Sequence, residues 1–392
     1  MIRSKKIRLL PTLDQEAIFW KSTGTARWAY NYYLATCEAN YNAYKQGLRD
    51  ISHTNEGDVR KYINNVLKKT THTWLKEVSN NVMKQSIKNA ELAYKKFFKG
   101  VSQKPKFKSK HESKPSFYVN YDSLKRVQNG FQGERLGKVK TKECLPKLKK
   151  GEKYKNPYIS FDGKFWYLSV SYETTPINVK LTDVSLGVDV GVKELAICSN
   201  SKVYKNINKT KKVRRLKKKL RREQRKLSRK LLKNTSKYTS TRKPIYTKPL
   251  KECKNIQKQK EIVHDLHRTL TNIRNNHLHQ ATNDIAKTKP YRIVVENLNV
   301  KAMMKNKHLS CAIAEQKLST FLYQLKYKSE KYNIDFVVAD RWFPSSKTCS
   351  ACGEINSELK LNDRTYKCNY CGLSLDRDLN ASYNLANYNL AS

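Results

Sequence analysis

The order of apolar and polar positions divides the chain into a helical front, a β-rich middle and a rear in which strands and helices alternate. At the N-terminus Ile7 and Leu9 alternate with basic residues, as on a half-buried strand, and Thr12 with Gln15 three residues later is the capping-box signal for a following helix. Ile18 and Phe19 before Gly24, and Ala26, Trp28, Ala29 and Leu34 after it, predict helix broken at the glycine. A further helix passes through Ile87, Leu92, Ala93, Phe97 and Phe98, so residues 12 to 100 are expected to be mostly helical. From Lys104 to Lys114 the interleaving of Lys, Pro and Phe107 marks a basic connector. Between Tyr158 and Tyr172, runs of aromatic and β-branched residues flank Asp162-Gly163, which predicts a hairpin with a two-residue turn. Val184 to Ile197 reads as a buried strand turning at glycines into a second strand. Val213, Leu216, Leu220, Leu227 and Leu231 then recur at helical spacing, as do Ile262, Leu266, Leu270, Ile273 and Ile285 before Pro290. Ile293-Val294-Val295 is a short buried strand that ends at Glu296, and a helix through Leu318, Phe321, Leu322 and Leu325 precedes the strand Phe336-Val337-Val338.

Charge turns this pattern toward a partner. The 392 residues carry 80 Lys+Arg against 33 Asp+Glu, a formal net charge of +47. Self-repulsion on that scale weakens a compact state unless a polyanion neutralises it, so nucleic acid is the expected partner and a small-molecule enzyme is disfavoured. Residues 201–260 alone hold 25 Lys+Arg and 2 acids. Within them Arg214, Arg215, Lys218, Arg221, Arg222, Arg225, Lys226 and Arg229 would line successive turns of one helix, as candidate phosphate contacts. A merely solvated helix would interleave acids, and this tract has almost none. The hydrophobic share of 38% includes 24 Tyr, so the core is expected to be thin. No apolar run approaches the ~20 residues of a bilayer span, and the first residues lack a signal-peptide stretch, so an intracellular protein away from membranes is expected.

Two constellations carry chemistry. Five of the nine cysteines are scattered (Cys37, Cys144, Cys198, Cys253, Cys311), whereas Cys349-x2-Cys352 and Cys368-x2-Cys371 form two CxxC knuckles, each followed by glycine. Four thiolates at this spacing can surround one Zn²⁺ tetrahedrally, and with no open coordination position such a zinc is structural. The second constellation is a set of carboxylates on apolar elements. Asp189 lies in the strand Leu186-Gly187-Val188-Asp189-Val190-Gly191, Glu296 ends another strand, and Asp378 lies in DRDLNA at a helix start. Each alone reads equally well as a turn residue, a surface residue or an N-cap. Together, on neighbouring strands, they could hold two Mg²⁺ ions for phosphodiester cleavage, since buried carboxylates are costly unless paired or metal-bound.

The runs LGVDVGVKELAI, IVVENLNV, RWFPSSKTCSACG, CNYCG and LDRDLNAS, with IRLLPTLDQ, GTARWAYN and KPKFKSK nearer the N-terminus, resemble the successive motifs of the TnpB family over nearly the whole chain. These are insertion-sequence-encoded RNA-guided nucleases related to type V CRISPR effectors, formerly described as transposases. The resemblance implies an α+β multidomain protein: a β-barrel wedge domain from residues 1–10 plus 101–180, a helical recognition lobe over 11–100, and an RNase-H-like (RuvC) α/β nuclease domain over 181–392 with an inserted zinc ribbon at 345–375. It implies Asp189, Glu296 and Asp378 as catalytic Mg²⁺ ligands, Asp378 being preferred over Asp376 because it alone satisfies D-x-N-A. Ser382 stands where the family commonly has a second alanine, a small-for-small change. Implied with them are a guide RNA, a double-stranded DNA target beside a short protein-read motif, a monomer with its RNA, and a cytoplasmic, nucleoid-associated location. Two other readings remain open at this point, a RuvC-like structure-specific nuclease without RNA and a non-cleaving DNA-binding repressor.

Overall fold

The computed structural model describes residues 1–51, 53–110, 112–360 and 363–388, and the chain divides into two compact units, Ile2–Thr174 and Thr175–Ser392, the latter joined by Met1. In the first unit, β1 (Ile2–Leu10) leads into α1 (Leu13–Lys45), α2 (Glu56–Tyr62) and α3 (Asn80–Phe98). Six strands follow: β2 (Ser116–Tyr118), β3 (Lys125–Val127), β4 (Gly130–Gly133), β5 (Gly137–Thr141), β6 (Lys155–Phe161) and β7 (Trp166–Glu173). With β1 they make one antiparallel sheet in the order β2-β6-β7-β1-β5-β4-β3, in which Ile7 faces Leu168 and Leu9 faces Thr141. Among the described residues no ladder joins the end strands β2 and β3.

The capping box at Thr12 and Gln15 is present, with both reciprocal hydrogen bonds. The expected break at Gly24 is not: α1 runs unbroken for 33 residues, about 50 Å. A lone glycine costs a helix only about 1 kcal/mol, and packing on either side exceeds that. Phe19 packs into the core of the sheet, while Ala29, Tyr30, Tyr33 and Leu34 pack against α2 and α3, so one helix serves two cores. The hairpin near Asp162 also differs, because its loop spans the four residues Asp162–Phe165. The Asp162 carboxylate accepts from the backbone N–H groups of Lys164 (3.0 Å) and Phe165 (2.8 Å), closing a wider turn than Asp-Gly alone suggests.

The second unit is built on a mixed sheet. Its strands are β8 (Ser185–Val190), β9 (Ala196–Cys198), β10 (Val203–Tyr204), β13 (Arg292–Val295) and β14 (Asp335–Val338), in the order β10-β9-β8-β13-β14. β8, β13 and β14 are parallel, with Val188 beside Val295 and Val295 beside Val338, and β9 and β10 turn back antiparallel. Between β10 and β13 the chain makes two long helices, α4 (Lys211–Lys233) and α5 (Lys254–Lys287), joined by the small hairpin β11 (Thr235–Tyr238) and β12 (Pro244–Tyr246). Beyond β13 come α6 (Val300–Met303), α7 (Ser310–Gln316) and α8 (Leu318–Lys331), and beyond β14 the ribbon hairpin β15 (Thr365–Lys367) and β16 (Ser374–Asp376), then α9 (Arg377–Ala386).

The strand period of two sorts the sheet's faces. Leu186, Val188, Val190, Ile293 and Val295 share a core with Leu278, Ile285, Phe321 and Leu325 of α5 and α8. Gly187 and Val294 look the other way, where Val294 packs with Val337 and Leu385 under α9. A Cβ added to Gly187 would overlap the Ser382 carbonyl and the Ala386 amide, so the α9 backbone rests directly on β8. Ser382 is fully buried there and donates its hydroxyl to the Leu379 carbonyl at 2.7 Å, which satisfies its one polar group inside the packed seam. Gly187→Ala is therefore expected to lift α9 and to cost about 3 kcal/mol, the upper end of overpacking penalties. Hydrogen exchange should show the amides of α9 exchanging faster; unchanged protection there would mean the seat is not tight.

Candidate functional site

On the same alternation, Asp189 follows Gly187 on the α9 face of β8, and Glu296 follows Val294 on the α9 face of β13. Because β8 and β13 are parallel and in register at Val188 and Val295, the two carboxylates leave the C-terminal ends of adjacent strands one step later. Helix α9 brings the third. Asp376 is its N-cap, accepting from the amides of Asp378 (2.9 Å) and Leu379 (3.1 Å), which leaves the Asp378 side chain free of capping. Arg377 donates to Asp378 at 3.3 Å, and Arg364 stands 4.0 Å from its other oxygen. The sequence thus used its two DRD aspartates for different tasks.

The three acids act on one another. Burial, and after it the neighbouring Glu296 and Asp378, push the Asp189 carboxyl well above the usual carboxylate range, while the Arg377 guanidinium works against this. Negative charge crowded at a strand end with hard oxygen donors is the donor set that Mg²⁺-type cations take. A cavity of about 210 Å³ opens beside Glu296, with Asn297, Asn299, Asp340 and Arg341 on its walls. Glu296 is held from below by Ser345, whose hydroxyl donates to its Oε1 at 2.5 Å.

The four paired cysteines also meet. All four Sγ atoms lie within 4.8 Å of one another, an arrangement that could hold a metal ion and that fits zinc. The two knuckles are built alike. Cys349 N–H donates to Glu354 and Cys368 N–H to Leu373, both at 2.8 Å, while Gly353 and Gly372 close the turns at φ +83° and +75°. Those positive φ values are why glycine follows each pair. The backbone N–H of Cys371, aimed at the Cys368 sulfur, holds that thiol down to about 7, closer to the thiolate a metal needs. Beyond the cysteines the ribbon's own core is little more than Tyr366, Leu359 and Leu373.

All eight basic residues singled out in the sequence, Arg214, Arg215, Lys218, Arg221, Arg222, Arg225, Lys226 and Arg229, lie exposed on α4. The opposite face of α4, through Val213 and Leu220, packs with Val263, Leu266 and Leu270 of α5. Contacts from Glu223 to Gln259 and, farther along α4, from Lys230 back to the Asn255 carbonyl show that the two helices run antiparallel. Glu223 is buried in this seam and accepts from Gln259 at 2.9 Å; Arg222 and Lys226 reach the same carboxylate at 3.4 and 3.1 Å, and the other six basic groups leave it alone.

Sequence reasoning missed Ser345, Asn380 and Asn384. They are buried polar residues, and only the polar interruption of the apolar pattern in FPSS and LDRDLNASYN could have flagged them.

Against known families, a model described as "Probable transposase" matches residues 169–307, a "Helix-turn-helix domain" model matches 1–46, and a "Cas12f1-like, TNB domain" model matches 319–385. In this chain residues 1–46 form a strand and one continuous helix. A protein of Streptomyces pristinaespiralis named "Putative RNA-guided DNA endonuclease" is 28% identical over 100% of this chain and 90% of its own length. "Putative RNA-guided DNA endonuclease InsQ" of Escherichia coli K12 is 27% identical over 98% and 91%. A solved structure of the mini-RNA-guided endonuclease CRISPR-Cas_phi3 aligns over 99% of this chain and 92% of that one, at 12% identity and a TM-score of 0.44. With three family models in succession along it and relatives that align over nearly its whole length, the chain is similar to proteins named as RNA-guided DNA endonucleases and TnpB-like proteins.

Proposed function

We propose that the protein is an RNA-guided, Mg²⁺-dependent DNA endonuclease of a mobile element, cleaving DNA beside a short motif that the protein reads. The observation that supports this reading is that Asp189 and Glu296, on adjacent strands, and Asp378, on α9, come near enough for Glu296 and Asp378 to raise the Asp189 carboxyl, from segments nearly 200 residues apart in sequence. The strand order, with β8, β13 and β14 parallel and the antiparallel β9 followed by β10 on the β8 side, supports an RNase-H-like fold for residues 181–392. We read the helices of residues 11–100 as a recognition lobe, the sheet from residues 1–10 and 101–180 as a wedge domain of barrel type, and residues 345–375 as a ribbon around one structural Zn²⁺. The full-length relatives named as RNA-guided endonucleases support a guide RNA and a double-stranded DNA target as partners. Among the described residues no helix is long and apolar enough to cross a membrane.

In this reading Asp189, Glu296 and Asp378 hold the metal, and Arg377 with Arg364 keeps Asp378 turned into the site. Mg²⁺ bound there supplies Lewis-acid activation of a water and neutralises the leaving oxygen of a phosphodiester. The exposed face of α4 grips phosphates without reading bases, and sequence is read by guide pairing, the division of labour of CRISPR effectors.

Three outcomes are expected. The full chain purified from its host carries a discrete RNA, and Asp189→Ala keeps that RNA and its DNA binding while cleavage falls to background. Sequencing the RNA and assaying cleavage check this; cleavage unchanged by the substitution, or no defined RNA, would overturn the nuclease or the guide respectively. Elemental analysis finds one zinc per chain, and Cys368→Ser loses it together with ribbon protection in hydrogen exchange while the Mg²⁺ requirement persists; purified protein free of zinc would refute the four-thiolate site. Replacing Arg221, Arg225 and Arg229 by Gln weakens binding uniformly across target sequences and flattens the salt dependence by about one unit of slope per phosphate contact removed. An effect confined to particular base positions would argue against backbone gripping.

A further inference from the structure

We infer that Ser345 is the positioning residue for Glu296, and that it ties the orientation of this carboxylate to the four-cysteine ribbon and to α9. The inference rests on the metal-site reading of Asp189, Glu296 and Asp378. Ser345 is buried, 3% exposed, and its hydroxyl donates to Glu296 Oε1 at 2.5 Å, a short charge-assisted contact. That hydrogen bond commits one oxygen of the carboxylate and fixes the plane of the group, which leaves Oε2 as the atom offered to a cation. Second contacts of this kind orient metal ligands and tune their affinity.

The serine is itself held from two sides. Its backbone carbonyl accepts from Asn384 Nδ2 at 2.7 Å, and the same amide donates to the Thr348 carbonyl at 2.6 Å. One helical turn earlier, Asn380 Nδ2 donates to Thr348 O at 2.7 Å while its Oδ1 accepts from Ser350 N at 3.0 Å. Asn380 is fully buried and Asn384 nearly so, and both have their amides satisfied by this one turn. The turn, Pro344 to Thr348, is closed by Thr348 N–H on the Pro344 carbonyl at 3.0 Å and runs directly into Cys349. A continuous path of short hydrogen bonds therefore joins the first cysteine of the ribbon to α9, which carries Asp378, and through Ser345 to Glu296. Two of the three carboxylates are referenced to the same turn, and the metal that closes the cysteines fixes where that turn ends.

The test titrates Fe²⁺ in place of Mg²⁺ into the zinc-loaded full chain with its bound RNA, generates hydroxyl radicals at the iron with ascorbate and peroxide, and maps backbone scission by mass spectrometry. In the wild-type protein scission clusters around Asp189 and Glu296. Ser345→Ala is expected to raise the Fe²⁺ concentration for half-maximal scission there by about 10-fold, as loss of an orienting partner does, with zinc content unchanged. Ser345→Thr, which keeps the hydroxyl, restores the titration. If Ser345→Ala loses its fold, Ser345→Cys keeps the volume with only a weak donor and carries the same expectation. A wild-type iron titration in Ser345→Ala or Ser345→Cys, alongside scission abolished in Glu296→Gln, overturns the role of Ser345 and leaves the metal site standing. Scission that survives Glu296→Gln overturns the metal-site reading itself.

Discussion

The arrangement of the three acids in the second unit depends on the contact between the backbone of α9 and Gly187. Burial first, and after it the charges of Glu296 and Asp378, raise the Asp189 carboxyl above the usual range, so something other than mutual attraction must hold the three acids close. Packing does. Gly187 lets α9 lie against β8, Leu385 fills the space over Val294 and Val337, and the apolar faces of β8 and β13 are covered on the other side by α5 and α8. The acids ride on elements whose positions are fixed by burial. A side chain at residue 187 would relieve that crowding by moving Asp378 away, at the cost of the site.

Much of this was legible because the physics is local. Period-two alternation on β8 and β13 fixes which face Asp189 and Glu296 take once the strands are parallel neighbours, and the CxxC spacing announces its own geometry. What escaped depends on distant partners. Gly24 looked like a break because the sequence does not show that α1 packs into two cores, one on each side of it. The short strands β2 to β5 have too few apolar residues to signal alone and are specified by pairing, β2 with β6, β5 with β1, and β3, β4 and β5 with one another. Ser345, Asn380 and Asn384 are ordinary polar residues until a neighbouring turn gives their donors somewhere to point. The identity of Asp378 over Asp376 was legible only through the D-x-N-A pattern; the structure supplies the physical reason, since a carboxylate occupied in capping a helix is not available to face its counterparts.

The charge of +47 is also distributed by structure. Residues 201–260 hold a net +23 and form α4, the hairpin at its tip and the start of α5, with most of the α4 basic side chains exposed. Buried Glu223, bonded to Gln259, places a polar pair within the seam, a device that fixes the register of two packed helices. Residues 340–392 balance six acids against six bases. Strong positive charge beside the carboxylates would pair with them and compete with a cation for the same oxygens; Arg377 and Arg364 approach Asp378 at 3.3 and 4.0 Å, and the Arg377 charge also acts on Asp189.

Chain order adds a last constraint. Asp189 and Glu296 lie on adjacent strands, but Asp378 reaches them only after the chain has left β14 at Val338 and returned at Arg377. The intervening segment has a very small core of its own, centred on Tyr366, and closing a floppy loop of that length costs conformational entropy that such a core does not offset. Four thiolates on one ion shorten the effective loop, since Cys349 lies close behind Ser345 and Cys371 lies just ahead of β16 and α9. The amides of Asn380 and Asn384 then fasten the near end of the ribbon to the helix that follows its far end. A metal held by the four cysteines would in this way help to set where α9, and with it Asp378, returns to the sheet.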